Sequence, residues 1–114
     1  MIGSCMALPA CFDAASTPAG PAAPNPTTRA LHALFAEEWE HDLAESPVWA
    51  SSTGDHRFDA KWDDPSLAAQ ARREAHDREL LAKIARVARA DLSPSDALSY
   101  DLFRYKVQTA VDGQ

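Results

Sequence analysis

Three times after residue 45 the chain sets a helix-starting side chain beside a proline: Ser46-Pro47, Asp64-Pro65-Ser66 and Ser93-Pro94. A serine or aspartate oxygen can accept from the free N–H groups of a first helical turn. Proline suits that turn because its φ is already helical and its missing N–H forfeits no bond. Each pair therefore closes one segment and opens another. A chain punctuated this way is confined to short helices, and no alternating strand pattern or internal repeat appears after residue 30.

Apolar spacing fills in the segments. From 28 to 45 the apolar residues Leu31, Leu34, Phe35, Trp39 and Leu43 recur at three and four, the helical period, with Thr27 or Thr28 placed to cap the start. A second helix over 47–53 should end at Gly54, which tolerates a left-handed conformation. A third is expected over 65–90, roughly 35–40 Å long at about 1.5 Å per residue. Its stripe is clearest at Leu80, Leu81, Ile84, Val87 and Ala88. The fourth, 94–112, has Asp96 positioned to complete a capping box with Ser93 and stops at Gly113. It is apolar on two sides, Leu98, Leu102 and Tyr105 on one and Phe103, Val107 and Val111 on another, so it needs neighbours on both. The expected class is all-α, about four helices forming an incomplete piece of a larger helical fold.

Composition separates this helical part from what precedes it. Residues 1–30 carry only Asp13 and Arg29 as charges and hold five of the eight prolines, so the net charge of -6 lies entirely beyond them. Residues 1–27 read as a leader whose Ala-, Pro-, Ser- and Thr-rich tether buries too little to offset the entropy of ordering; 28–114 read as the helical segment. Leu8, Ala10 and Cys11 look like the lipobox at which a bacterial signal peptidase cuts and a cysteine is acylated, making Cys11 a lipidation candidate. No Lys or Arg precedes Cys11 and Pro9 interrupts the box, so a plain Ala-rich leader is the alternative. Cys5 and Cys11 are the only cysteines, which leaves the helical part without disulfide or thiolate chemistry.

The acidic balance, with a pI near 5.0, argues against a nucleic-acid partner, which would select a basic face. The sequence holds no GxGxxG, GxxxxGK[ST] or GxSxG, and no histidine is followed by glutamate, so it carries no HExxH zinc helix. Glu37, His41 and Glu45 share a helical face and have the best metal-like spacing, but such residues usually form a solvated face. His76, between Arg72, Arg73 and Glu79, reads as part of an exposed charge mosaic. Chemical interest narrows to Asp55, His56 and Arg57, with Asp59, in the turn of "SPVWASSTGDHRFDAKW". They are candidates for the edge of a cleft or a contact to an acidic substrate group. On the structural reading, Asp55 and Arg57 cap helix ends while Phe58 and Trp62 plug the core.

Four stretches in order carry a family likeness: Glu45-Ser46-Pro47, Gly54 to Asp59, Asp64-Pro65-Ser66, and Leu92 to Asp101. Across about residues 30–112 the chain resembles the start of the bacterial domain-of-unknown-function 885 family. The resemblance implies a large helical fold related to gluzincin-like zinc peptidases, often exported or anchored as lipoproteins. It places the zinc-binding His-Glu motif far downstream, so no catalytic residue or metal ligand is expected in this chain. Zinc is expected for the full-length family, where a zinc-activated water would attack a peptide substrate. The expected function is an N-terminal helical fragment, inactive alone and completed by the remainder of the same polypeptide. It would be exported to the periplasm or held at the membrane by lipid only. The alternative is a small helical envelope lipoprotein that binds a partner through its last helix.

Overall fold

A computed structural model describes residues 23–114, and the lipidation candidate Cys11 lies outside them. Four α-helices follow one another with no strand among the described residues: α1 Pro26–Glu45, α2 Pro47–Ser52, α3 Leu67–Ala85 and α4 Pro94–Asp112. Two single 3-10 turns, His56–Phe58 and Arg89–Asp91, join them.

The starts follow the proline grammar, with two corrections. α1 begins two residues earlier than expected because Asn25, not a threonine, caps it: the Asn25 side chain accepts from the Thr28 N–H at 2.8 Å. Asn25 also donates to the Asp91 carbonyl, which ties the start of α1 to the turn before α4. α3 begins at Leu67, since Asp64 accepts from the Ser66 N–H and Ser66 in turn caps Ala69. It also ends at Ala85 rather than at residue 90, a length near 28 Å at about 1.5 Å per residue. There Arg86 and Val87 bond three residues back instead of four, tightening the chain into the 3-10 turn.

α4 occupies its expected range, and Ser93 accepts from the Asp96 N–H at 3.2 Å. The Asp96 carboxylate is turned to the Ser93 hydroxyl and to Thr28 and His32 of α1, so only the serine half of the capping box forms. Ser46 makes no side-chain cap for α2; Asp63 accepts from the Val48 N–H instead. Gly54 has φ 95°, the left-handed conformation expected after α2.

The core lies between α1, α3 and α4. Leu31, Leu80, Ile84, Tyr100 and Val107 are buried, with Phe35, Leu81, Val87, Leu92 and Phe103 packed around them. Phe35 meets Phe103 edge to face at 4.9 Å between centroids, a favoured aromatic arrangement. Each fully buried leucine or isoleucine contributes about 1.5–3 kcal/mol. Leu43 and Ala50 are buried where α1 meets α2. Ion pairs rim the bundle: Lys83 to Glu37 between α1 and α3, Lys106 to Asp42 between α1 and α4, and Arg89 to Asp101 at its end. None of these helices is long and apolar enough to cross a membrane.

The two sides of α4 separate cleanly. Phe103 and Val107 pack in the bundle and Val111 is half-buried, whereas Leu98, Leu102 and Tyr105 are 60%, 61% and 73% exposed. Trp62, expected to plug the core, is 86% exposed. The chain between the 3-10 turn and α3 runs along the surface, so the indole finds no helix face to enter. Ala88, placed on the α3 stripe, is likewise exposed because the helix has ended before it.

Candidate functional site

Two constellations gather titratable side chains. The first is the corner from Gly54 to Asp59. Asp55 caps the 3-10 turn by accepting from the Arg57 N–H at 3.0 Å. The Arg57 guanidinium returns to the Asp55 carboxylate, with Nε 3.0 Å from both oxygens and Nη2 2.6 Å from Oδ2. Its outer edge reaches back to α1, Nη1 and Nη2 donating to Glu40 at 2.9 and 3.2 Å. One planar fork thus grips two carboxylates, a match of geometry that lysine could not make. The hydrogen bonds from Arg57 hold the Asp55 carboxyl below its ordinary range, and those from Asp55 and then Glu40 raise Arg57 further.

His56 points away from this fork, its Nδ1 2.9 Å from Asp59 and most of its side chain in solvent. Asp59 accepts a very short hydrogen bond from the Ser51 hydroxyl, which chiefly holds its carboxyl low, with His56 adding to the effect. The guanidinium also lies 5.3 Å over the Phe58 ring. Val48, Ser51, Asp59, Lys61 and Trp62 line a shallow depression beside the corner. Asp55, Arg57 and Glu40 form a structural clasp from which His56 stands apart, and an acidic group binding the outer edge of Arg57 would compete with Glu40. Asp55 does the capping work the sequence suggested, whereas the Arg57 side chain pairs with Asp55 and with Glu40, the partner that sequence spacing did not reveal.

The second constellation bridges α1 and α3. Glu38 is only 7% exposed, an uncommon position for a carboxylate, and its Oε2 lies 2.7 Å from His76 Nε2. His76 is therefore a half-buried partner of α1, not a member of an exposed mosaic. Its ring lies against that of His41, centroids 3.5 Å apart and planes within 6°. His41 Nδ1 is buried without a hydrogen-bond partner, a condition that costs about 1–3 kcal/mol. Glu38, His41 and His76 each place one donor atom within 4.8 Å of the others.

The trio with metal-like spacing is dispersed by the same packing. Glu37 pairs with Lys83, Glu45 with Arg73 and Arg72, and His41 turns inward to His76. Helical periodicity had grouped residues four apart, whereas the cluster joins residues three apart on α1 to one on another helix. The available signal was Glu38-x-x-His41, an i, i+3 pair that shares a face.

Elsewhere a groove of about 530 Å³ runs between the first turns of α1 and the end of α3, lined by Pro26, Thr27, Ala30, Ala33, Leu34, Lys83, Arg86, Val87 and Ala88. It contains none of the corner residues and none of the Glu38–His41–His76 cluster.

The family of bacterial proteins of unknown function designated DUF885 matches residues 47–114. That range contains α2, the corner, α3 with His76, and α4; α1, with Glu38, Glu40 and His41, precedes it. No curated protein and no solved structure gives a match. The corner, the Asp64-Pro65-Ser66 start and the Leu92–Asp101 segment all fall inside the matched range, and the chain belongs to the DUF885 family.

Proposed function

We propose that this chain is the N-terminal helical segment of an exported, zinc-dependent peptidase-like protein and is inactive alone. The observation that carries this reading is the uncovered side of α4: three large apolar residues, Leu98, Leu102 and Tyr105, stand in solvent in a member of this family. Apolar side chains lined up at helical spacing gain stability only when another surface covers them. The covering surface proposed is the remainder of the same polypeptide.

Zinc in such a protein would supply an activated water for attack on a peptide carbonyl. The residues here do not fit that catalytic site, because no HExxH pair exists in this sequence. The role proposed for this segment is to form part of the wall beside the cleft, with the clasp of Asp55, Arg57 and Glu40 holding the corner's shape. Export, and attachment by lipid through Cys11, belong to the same proposal.

Solution behaviour of the 114-residue chain tests it. The chain should self-associate or melt broadly, and the double substitution Leu98→Glu, Leu102→Glu should restore a monomer with unchanged helix content. It should also leave a casein substrate uncut, with or without added zinc. A wild-type monomer with a sharp cooperative melt would instead favour a self-sufficient helical lipoprotein that uses this face for a partner.

A further inference from the structure

We propose that Glu38, His41 and His76 form a zinc-binding site between α1 and α3. It is separate from any His-Glu catalytic motif and independent of the peptidase reading. Two imidazoles and one carboxylate are a donor set suited to Zn²⁺, and three protein ligands leave one position open in a tetrahedral ion. The three donor atoms already lie within 4.8 Å of one another, whereas ligands about 2.0–2.1 Å from a tetrahedral zinc stand about 3.4 Å apart. The Glu38–His76 pair, now 2.7 Å apart, has to open by less than about 1 Å, a change of the size side-chain torsions supply.

Two features distinguish this cluster from an ordinary ion pair. The Glu38 carboxylate is almost fully covered, so its negative charge is held where water cannot screen it and a cation is favoured. His41 Nδ1 has no partner at all; whichever tautomer the ring adopts, that atom remains unsatisfied, and a metal bond would satisfy it. The other histidines do not share these properties: His32 meets Asp96 and His56 meets Asp59, each as a single exposed pair.

Ligation requires one rearrangement. Parallel rings 3.5 Å apart aim their lone pairs side by side rather than at one point. Rotation of the His41 ring about its Cβ–Cγ bond, a broad torsional well, breaks this stack and frees an imidazole nitrogen to converge with Glu38 and His76. His76 then gives the Nε2 lone pair to zinc and carries its ring proton on Nδ1. Glu38 exchanges its hydrogen bond from His76 for the metal.

The test is zinc titration calorimetry on the full chain carrying Cys5→Ser and Cys11→Ser, which removes the two thiols as competing ligands. One zinc per chain is expected, together with a rise in Tm on adding zinc. His41→Phe preserves an aromatic ring against His76 but removes the donor, and His76→Phe does the same from α3. Each should weaken zinc binding by at least about tenfold. His56→Ala should bind as the parent does. Far-ultraviolet circular dichroism establishes that each variant is folded, and Glu38→Gln, which keeps the side chain's shape, provides a second route to the same loss. Cobalt substituted for zinc should give the intense visible bands of a tetrahedral site in the parent and in His56→Ala, and lose them in the His41, His76 and Glu38 variants. Absence of zinc binding at about 100 µM in the parent, weaker than any structural zinc site, would overturn the proposal. So would equal binding by the parent and both phenylalanine variants.

Discussion

Arg57 is bound to Asp55 on its own turn and to Glu40 seventeen residues earlier, at 2.6 and 2.9 Å for the shortest contacts. The pair with Asp55 shapes the turn; the pair with Glu40 docks that turn on α1. Arg57→Ala should therefore lower Tm by a few degrees, and Glu40→Ala should lower it by less, because the Arg57 guanidinium keeps its pair with Asp55. In the longer protein proposed above, the Arg57→Ala change should leave turnover near the parent's. Unchanged melting with much reduced turnover would turn the clasp into a functional element.

The core makes a larger demand. Leu31 and Ile84 are fully buried on facing helices, and Leu31→Ala or Ile84→Ala should each cost about 2–5 kcal/mol, read from urea midpoints. Leu102→Ala, a comparable deletion on the open side of α4, should stay within about 0.5 kcal/mol. Similar losses at both positions would mean that α4 is packed on both sides in solution.

Caps separate starts that look alike in the sequence. Ser93→Ala removes a hydrogen bond to the Asp96 N–H and should cost about 1 kcal/mol. Ser46→Ala, before an equally placed proline, should be close to neutral, because Ser46 makes no side-chain cap. Thermal melts of the two variants side by side distinguish them.

Gly54 has open space where a Cβ would sit, so substitution there meets no clash, only the left-handed backbone. Gly54→Ala should cost about 1–2 kcal/mol. Gly54→Asn should recover part of that, since asparagine enters the same region more readily.

Acid should loosen the corner and the start of α4 together. Asp55 and Asp96 have carboxyls held below their ordinary value of 3.8, chiefly by hydrogen bonds from Arg57 and from His32 respectively. A depressed folded-state value means stabilisation that is present above the unfolded value and is lost as pH falls through the folded one. Tm should be flat in this respect from about pH 7 to about pH 5 and fall below about pH 4. Asp55→Asn and Asp96→Asn should each flatten the acid limb.

Much of this architecture was legible because its signals are local. Ser66 and Ser93 cap the helices they precede, Gly54 takes the left-handed turn, and Asp55 bonds two residues on, all within a few residues of sequence. Asn25-Pro26 is written in the same grammar, but it sits in a Pro-rich stretch that reads as tether. The end of α3 carries no Gly or Pro, so nothing in Arg86–Asp91 announced the 3-10 turn. Longer-range partners were beyond spacing arguments: Glu40 for Arg57, and His76 for Glu38 and His41, depend on how α1 lies against the corner and α3. Trp62 shows the limit of composition, since an indole suits a core only if the chain carries it to one.

The three tryptophans divide into two optical environments. Trp39 on α1 and Trp49 on α2 meet edge to face with centroids 5.2 Å apart, whereas Trp62 stands almost wholly in solvent. Excited states of two indoles at that distance couple, so near-ultraviolet circular dichroism should report the seating of α2 on α1. Trp39 and Trp49 are 49% and 41% exposed against 86% for Trp62, so iodide should quench the red-shifted part of the fluorescence most strongly. Movement at the corner and opening of the α1–α2 junction can thus be followed separately, with no label attached to the chain.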